Sequence, residues 1–153
     1  MQLAARIARK YEIPERFFEN LVRTESAFQP RALSPKGAMG LGQLMPATAR
    51  ELGLRVEAGE AEGSVWHPPS NLDASARYLR WLYGQFGGEG KSGEEVWPLA
   101  AGAYNAGIGN IRRALAKVRD AEPPVWNSVA RVLPEVTGRA AAETLRYVER
   151  VMG

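Results

Sequence analysis

Apolar residues recur along this chain at helical spacing, not at the alternation of strands. Leu3 and Ile7 open a short helix predicted to end near Tyr11. Pro14 suits the first turn of a second helix, because the N–H that proline lacks has no helical partner there. Phe17, Phe18, Leu21 and Val22 form that helix's apolar stripe. Residues 31–42 hold Pro35 and three glycines and read as a structured loop, followed by a helix from Pro46 to Leu52 that Gly53 stops. Residues 53–67, rich in Gly and Glu, read as a surface loop. With Ser70 as N-cap, Leu72, Ala76, Leu79, Leu82, Tyr83 and Phe86 then mark a long helix that Gly87-Gly88 ends. Further helices are expected over Pro98 to about Ala106, Asn110–Val118, Pro124–Leu133 and Arg139–Met152. No repeat, low-complexity tract or linker interrupts this pattern. The expectation is one mostly α domain over residues 1–153, with loops long enough to build a cleft.

Composition narrows the classes without choosing among them. A chain of 153 residues can bury a core unaided, and 45% hydrophobic with 24% charged residues is ordinary for a globular protein. No run approaches the roughly 18 apolar residues of a membrane span. The absence of cysteine excludes disulfides and thiolate metal sites. A net charge of +3 favours polyanions in general, but Lys and Arg are scattered without a nucleic-acid-binding motif, so no nucleic-acid partner is expected. The first residues, MQLAARIARKYEIPERF, lack the apolar core and cleavage site of a signal peptide.

One residue breaks the pattern. Phe18, Leu21, Val22 and Glu25 follow i, i+3, i+4, i+7, which puts a carboxylate on an apolar face near a helix C-terminus. Desolvation and the negative end of the helix dipole both disfavour its ionisation. A carboxyl group held protonated near neutral pH is what a general acid for glycosidic cleavage requires. The competing reading has Glu25 at the surface, paired with Arg23 or Arg31.

The surrounding residues bear on that choice. Glu25-Ser26, followed by Ser34-Pro35-Lys36-Gly37-Ala38-Met39-Gly40-Leu41-Gly42-Gln43-Leu44-Met45-Pro46-Ala47-Thr48-Ala49, resembles the signature of the soluble lytic transglycosylase family. Ala103-Tyr104-Asn105-Ala106-Gly107 and Glu143-Thr144-Leu145-Arg146-Tyr147-Val148 resemble its second and third motifs. Trp66-His67-Pro68-Pro69-Ser70-Asn71-Leu72 is similar to the segment that introduces its long helix. Four blocks in family order span residues 25–148. The resemblance implies a lysozyme-like fold with a glycan-binding cleft.

It also implies roles, residue by residue. Glu25 takes the catalytic acid/base position, and Ser34 matches a serine near that carboxyl, or else merely caps the loop before Pro35. Gln43 and Met45 match cleft-lining positions, Gln43 offering an amide to sugar polar groups and Met45 a soft apolar surface; core packing is the alternative for Met45. Tyr104 presents a flat face beside the catalytic carboxyl, whereas Asn105 either contacts substrate or fixes its own helix end. Glu143 and Tyr147, four residues apart, share a face implied to border the cleft. Gly42 stands where the family commonly has Met, and His67, expected to be structural, where an aspartate is common.

The implied reaction cleaves the β-1,4 bond between N-acetylmuramic acid and N-acetylglucosamine in peptidoglycan. Glu25 first protonates the glycosidic oxygen, then takes the proton of the muramoyl C6 hydroxyl as it closes a 1,6-anhydro ring. The substrate's N-acetyl group helps to stabilise the charge at C1. No metal or organic cofactor is expected, and the chain is expected to act as a monomer on the wall, periplasmic, extracellular or phage-associated. Glycosidases that use two carboxylates hold them roughly 5–9.5 Å apart. The aspartates Asp73 and Asp120 lie outside the motifs, which leaves Glu143 as candidate partner for a hydrolase resembling goose-type lysozyme. A non-catalytic glycan-binding domain is the third reading.

Overall fold

The computed structural model describes residues 2–87, 91–118 and 123–153, so Gly88 and Asp120 lie outside the described residues. The described chain is mostly α-helical: α1 (Gln2–Lys10), α2 (Glu15–Ser26), α3 (Pro46–Glu51), α4 (Pro68–Phe86), α5 (Gly93–Ala106), α6 (Ile108–Lys117), α7 (Trp126–Val132), α8 (Pro134–Thr137) and α9 (Ala140–Met152). Among the described residues, β pairing is confined to isolated bridges, Leu33 with Met39, Met39 with Leu44 and Arg55 with Ser64. The chain divides into two compact units, the first ending at Arg80 and the second running from Trp81 to Gly153, a boundary inside α4.

In the first unit, α1 packs on α2. The stripe behaves as its spacing demands: Phe18, Leu21 and Val22 are fully buried and Phe17 nearly so. Pro14 stands one position earlier than expected, at the N-cap, with the extended ψ of 125° that starts a helix without continuing one. Residues 53–67 are more than a surface loop. The Arg55–Ser64 bridge closes them on themselves, and Leu54, Ser64 and Val65 are buried.

Ser70 is not the N-cap of α4. Pro68 and Pro69 open that helix, where their fixed φ fits and no donor is lost, and the carbonyl of His67 accepts the Asn71 N–H. The Ser70 hydroxyl instead accepts the Gly63 N–H at 2.9 Å and meets His67 Nδ1 at 2.7 Å. His67 thus has a structural partner.

Asp73, also on α4, gathers three donors from two helices and a turn: Lys10 Nζ at 2.8 Å, the Tyr11 hydroxyl at 2.7 Å and Arg77 Nε at 3.1 Å. Partial burial works against its charge, yet these hydrogen bonds outweigh it and hold the carboxyl below its usual 3.8. A depressed carboxylate pKa contributes stability that is complete above the unfolded value and is lost as pH falls through the folded one. Thermal unfolding should therefore lose stability below about pH 4. Asp73→Asn should cost about 1 kcal/mol at pH 7, allowing for solvent screening, and flatten that acid limb.

In the second unit, α5 packs against both α6 and α9. Its start lies five residues before the expected Pro98, because Ser92 and Glu95 form a capping box in which the Glu95 carboxylate accepts the Ser92 N–H at 2.9 Å. Pro98 sits inside the helix and is tolerated in a buried stretch from Val96 to Ala103. Gly102 belongs to that stretch for a steric reason: a Cβ there would lie 2.6 Å from Cζ3 of Trp126. Gly102→Ala should lower stability by about 1–3 kcal/mol despite alanine's better helix propensity, measured as a lower urea midpoint. The short α8, between Pro134 and Gly138 at φ 60°, has no counterpart in the expected elements.

Candidate active site

Glu25 is the penultimate residue of α2 and is half-buried, at the margin of the face that Leu21 and Val22 bury. The helix stops abruptly after it. The Ser26 hydroxyl donates to the Val22 carbonyl at 3.1 Å, and Ala27 and Phe28 both adopt left-handed backbone, at φ 52° and 59°. Two consecutive non-glycine residues in that region store strain of order 1–3 kcal/mol each, beginning two residues after the carboxylate. Both arginines of the competing reading have other partners. Arg23 donates to Asn20 at 3.0 Å and lies over the Phe28 ring, while Arg31 pairs with Glu60.

The loop that follows is knotted by its own backbone. Met39 pairs with both Leu33 and Leu44, and Gly37 and Gly40 take positive φ. Ser34 accepts the Ala38 N–H on its hydroxyl at 2.9 Å, which caps the turn and leaves the hydroxyl proton to be donated elsewhere. Gln43, itself at φ 51°, spends both amide hydrogens on the loop, donating to Ala32 and Gly40 carbonyls at 3.0 and 2.9 Å. The geometry thus narrows the expected donor-and-acceptor amide: what remains for a ligand is its carbonyl oxygen. Met45, 45% exposed at the start of α3, is not packed in the core.

A residue the sequence did not single out organises this loop. Asn71, 1% exposed, accepts the Gly42 N–H at 2.8 Å and the Ser75 hydroxyl at 3.1 Å, and donates to the carbonyls of Val65 at 2.9 Å and Met39 at 3.3 Å. Gly40 makes room for it, since a Cβ there would lie 2.4 Å from Asn71 Nδ2. The only sequence signal was its place in the Trp66–Leu72 block.

In the second unit, Tyr104 and Asn105 lie half-buried in the last turn of α5. The Asn105 carbonyl oxygen accepts the Thr144 hydroxyl at 2.8 Å, a direct bond between the second and third motif blocks. Its NH2 group is then turned away from Thr144. On α9, Thr144, Tyr147, Val148 and Val151 are buried while Glu143 is exposed. The face that Glu143 and Tyr147 were expected to share therefore divides: the tyrosine ring is core, with 5% of its surface exposed, and the carboxylate points to solvent. Among the described residues, no group of three or more His, Asp or Glu side chains could hold a metal ion. No helix among them is long and apolar enough to cross a membrane.

Solved structures of the lysozyme-like class superpose on this helical fold. A lytic transglycosylase of Pseudomonas aeruginosa, solved as an inactive Glu-to-Gln mutant, matches 99% of this chain with TM-score 0.73 and 28% identity, over 22% of its own length. The 70 kDa soluble lytic transglycosylase of Escherichia coli matches 99% with TM-score 0.71, also 28% identical and over 22% of its own length. Residues 2–127 match the transglycosylase SLT domain family, and the chain belongs to that family. The soluble lytic murein transglycosylase of Escherichia coli K12 is 32% identical over 145 residues, 92% of this chain. Membrane-bound lytic murein transglycosylase F of Alcanivorax borkumensis is 31% identical over 134 residues, 86% of the chain. The chain spans 20% and 27% of those two relatives.

Proposed function

We propose that residues 1–153 form the catalytic domain of a peptidoglycan lytic transglycosylase, with Glu25 as its single general acid/base. The observation that carries this reading is a half-buried glutamate at the end of α2, inside the matched family region, with its neighbouring arginines bonded elsewhere. In the protonated form Glu25 gives its proton to the glycosidic oxygen between N-acetylmuramic acid and N-acetylglucosamine as the C1–O bond breaks. The resulting carboxylate takes the proton of the C6 hydroxyl while that oxygen bonds to C1. Atoms balance without water, and the product carries a 1,6-anhydro end.

Ser34 and Met45 are the first unit's candidates for substrate contact, together with the Gln43 carbonyl oxygen; Tyr104 and the Asn105 NH2 are those of the second. The family relatives named as murein transglycosylases, some of them membrane-bound, support a cell-wall setting. Two findings favour one carboxylate over a water-activating pair. Asp73 is fully engaged with Lys10, Tyr11 and Arg77, and Glu143 faces solvent. Mass spectrometry of digested peptidoglycan tests the reaction: the expected fragments are lighter by one water than hydrolysis products. Fragments with free reducing ends would assign the chain to the hydrolases instead.

A further inference from the structure

Two asparagines stand close to the end of α5, and their amides have different partners. Asn110 Nδ2 donates to the Ala106 carbonyl at 2.7 Å, the local bond that asparagine commonly makes. The terminal carbonyl of α5 therefore has its partner without help from Asn105. Among the described residues, the Asn105 side chain bonds instead to Thr144 on α9, at a separation of 39 residues. Thr144 is 2% exposed in the interior of its helix, so packing fixes its rotamer and water does not compete for its hydroxyl. That hydroxyl has one proton to give. The Ala140 carbonyl, one turn back, lies at 3.4 Å, whereas the Asn105 oxygen lies at 2.8 Å. Only the second is within the range of about 2.5–3.0 Å of a good O–H···O bond, so the proton goes to Asn105. The other end of the amide is fixed by the same bond. Its oxygen faces Thr144, and its N–H donors face away from a half-buried position in the last turn of α5.

We propose that Thr144 is a positioning residue, whose buried hydroxyl sets the polarity of Asn105 so that this amide selects an acceptor oxygen on the glycan. The proposal rests on the transglycosylase reading above. An unheld amide can turn over at almost the same shape and present either a donor or an acceptor. Held by Thr144, Asn105 presents donors only. A sugar strand answers them with hydroxyl oxygens and acetamido carbonyls. Thr144 touches no substrate and takes no part in the proton transfers, so its influence falls on binding. The second and third motif blocks thereby acquire a physical reason to occur together: a donor carried by one is aimed by a hydroxyl carried by the other.

The test titrates soluble glycan strands into the Glu25→Gln protein by calorimetry and follows their cleavage by the active protein. Thr144→Val keeps the shape and removes the proton, which leaves the Asn105 oxygen facing a methyl group. It should weaken binding roughly three- to tenfold, the worth of one neutral hydrogen bond, and raise KM more than it lowers kcat. Thr144→Ser keeps the hydroxyl and should recover most of the affinity. Asn105→Asp keeps the oxygen that Thr144 holds but exchanges the donors for a second acceptor, so it should bind at least as weakly as Thr144→Val. In an Asn105→Ala background, Thr144→Val should cost no further affinity. Wild-type affinity in Thr144→Val or in Asn105→Asp overturns the proposal, as does a Thr144→Val effect that persists without Asn105. A mere tie between α5 and α9 would give the first of these results together with a lowered melting temperature. Products with free reducing ends, at affinities ordered as expected, would overturn the transglycosylase reading and leave the role of Thr144 standing.

Discussion

Glu25→Gln should abolish the clearing of peptidoglycan suspensions while leaving the protein folded. Glutamine keeps the shape and the hydrogen-bonding carbonyl but has no acidic proton for a leaving oxygen. General acid–base catalysis by one positioned group is worth about 10²–10⁴ in rate, and here the same group is proposed to act in both proton transfers. The loss should therefore lie at or beyond the upper end of that range, in kcat and not in KM. Stability should move the other way. Glu25 is the penultimate residue of α2, at the negative pole of its dipole and the border of a buried face, where a neutral amide of the same shape fits at least as well as a carboxyl group that can ionise. The melting temperature of the variant should equal or exceed that of the wild type, a trade of stability against activity common at active sites. Turbidity assays and calorimetry on one preparation check both halves. Activity within tenfold of the wild type would remove Glu25 from the mechanism.

The sequence made most of the helices legible, because their signals are local. The Leu72–Phe86 stripe and the Phe17–Val22 stripe needed only spacing, and apart from the half-buried Tyr83 both are buried as that spacing requires. Boundaries failed where side chains and prolines could be read two ways. Pro98 looked like a start, although the capping pair Ser92 and Glu95 stood six and three residues before it. Ser70 looked like a cap, although two prolines had already begun the helix. The candidate site was legible as a set of positions and much less so as a set of roles. Whether an amide faces a ligand or its own backbone depends on contacts made across the fold. Gln43 reaches back eleven residues to Ala32, and no pattern along the chain encodes that. Tyr147 and Glu143 obey helical spacing, but only the packing of α9 shows that one is core and the other is not.

Asn71 is the sharpest case of a role set by distant partners, and substituting it should have the largest effect on stability. Its bonds to Gly42 and Met39 span 29 and 32 residues, and they join the loop bearing Gln43 and Met45 to the N-terminal turn of α4. Asn71→Leu keeps the approximate volume but strips the Gly42 N–H and the Val65 carbonyl of these partners in a buried site. At about 1–3 kcal/mol for each such group, the cost should be roughly 2–6 kcal/mol, a large share of the 5–15 kcal/mol that holds a domain folded. Asn71→Asp discriminates packing from polarity. Its carboxylate still accepts from Gly42 and Ser75, but it sets a buried negative charge against the Val65 and Met39 carbonyls. Those carbonyls and burial raise its folded pKa above the unfolded value, so folding takes up a proton and the deficit should shrink as pH falls. Protonated, the side chain regains a donor for Val65. Urea unfolding of the two variants at pH 7 and pH 5 checks this: Asn71→Leu should keep a constant gap to the wild type, and Asn71→Asp should close part of its own. Wild-type midpoints for Asn71→Leu would show that the loop is held by something else, and the structural reading of the cleft loop would fall with it.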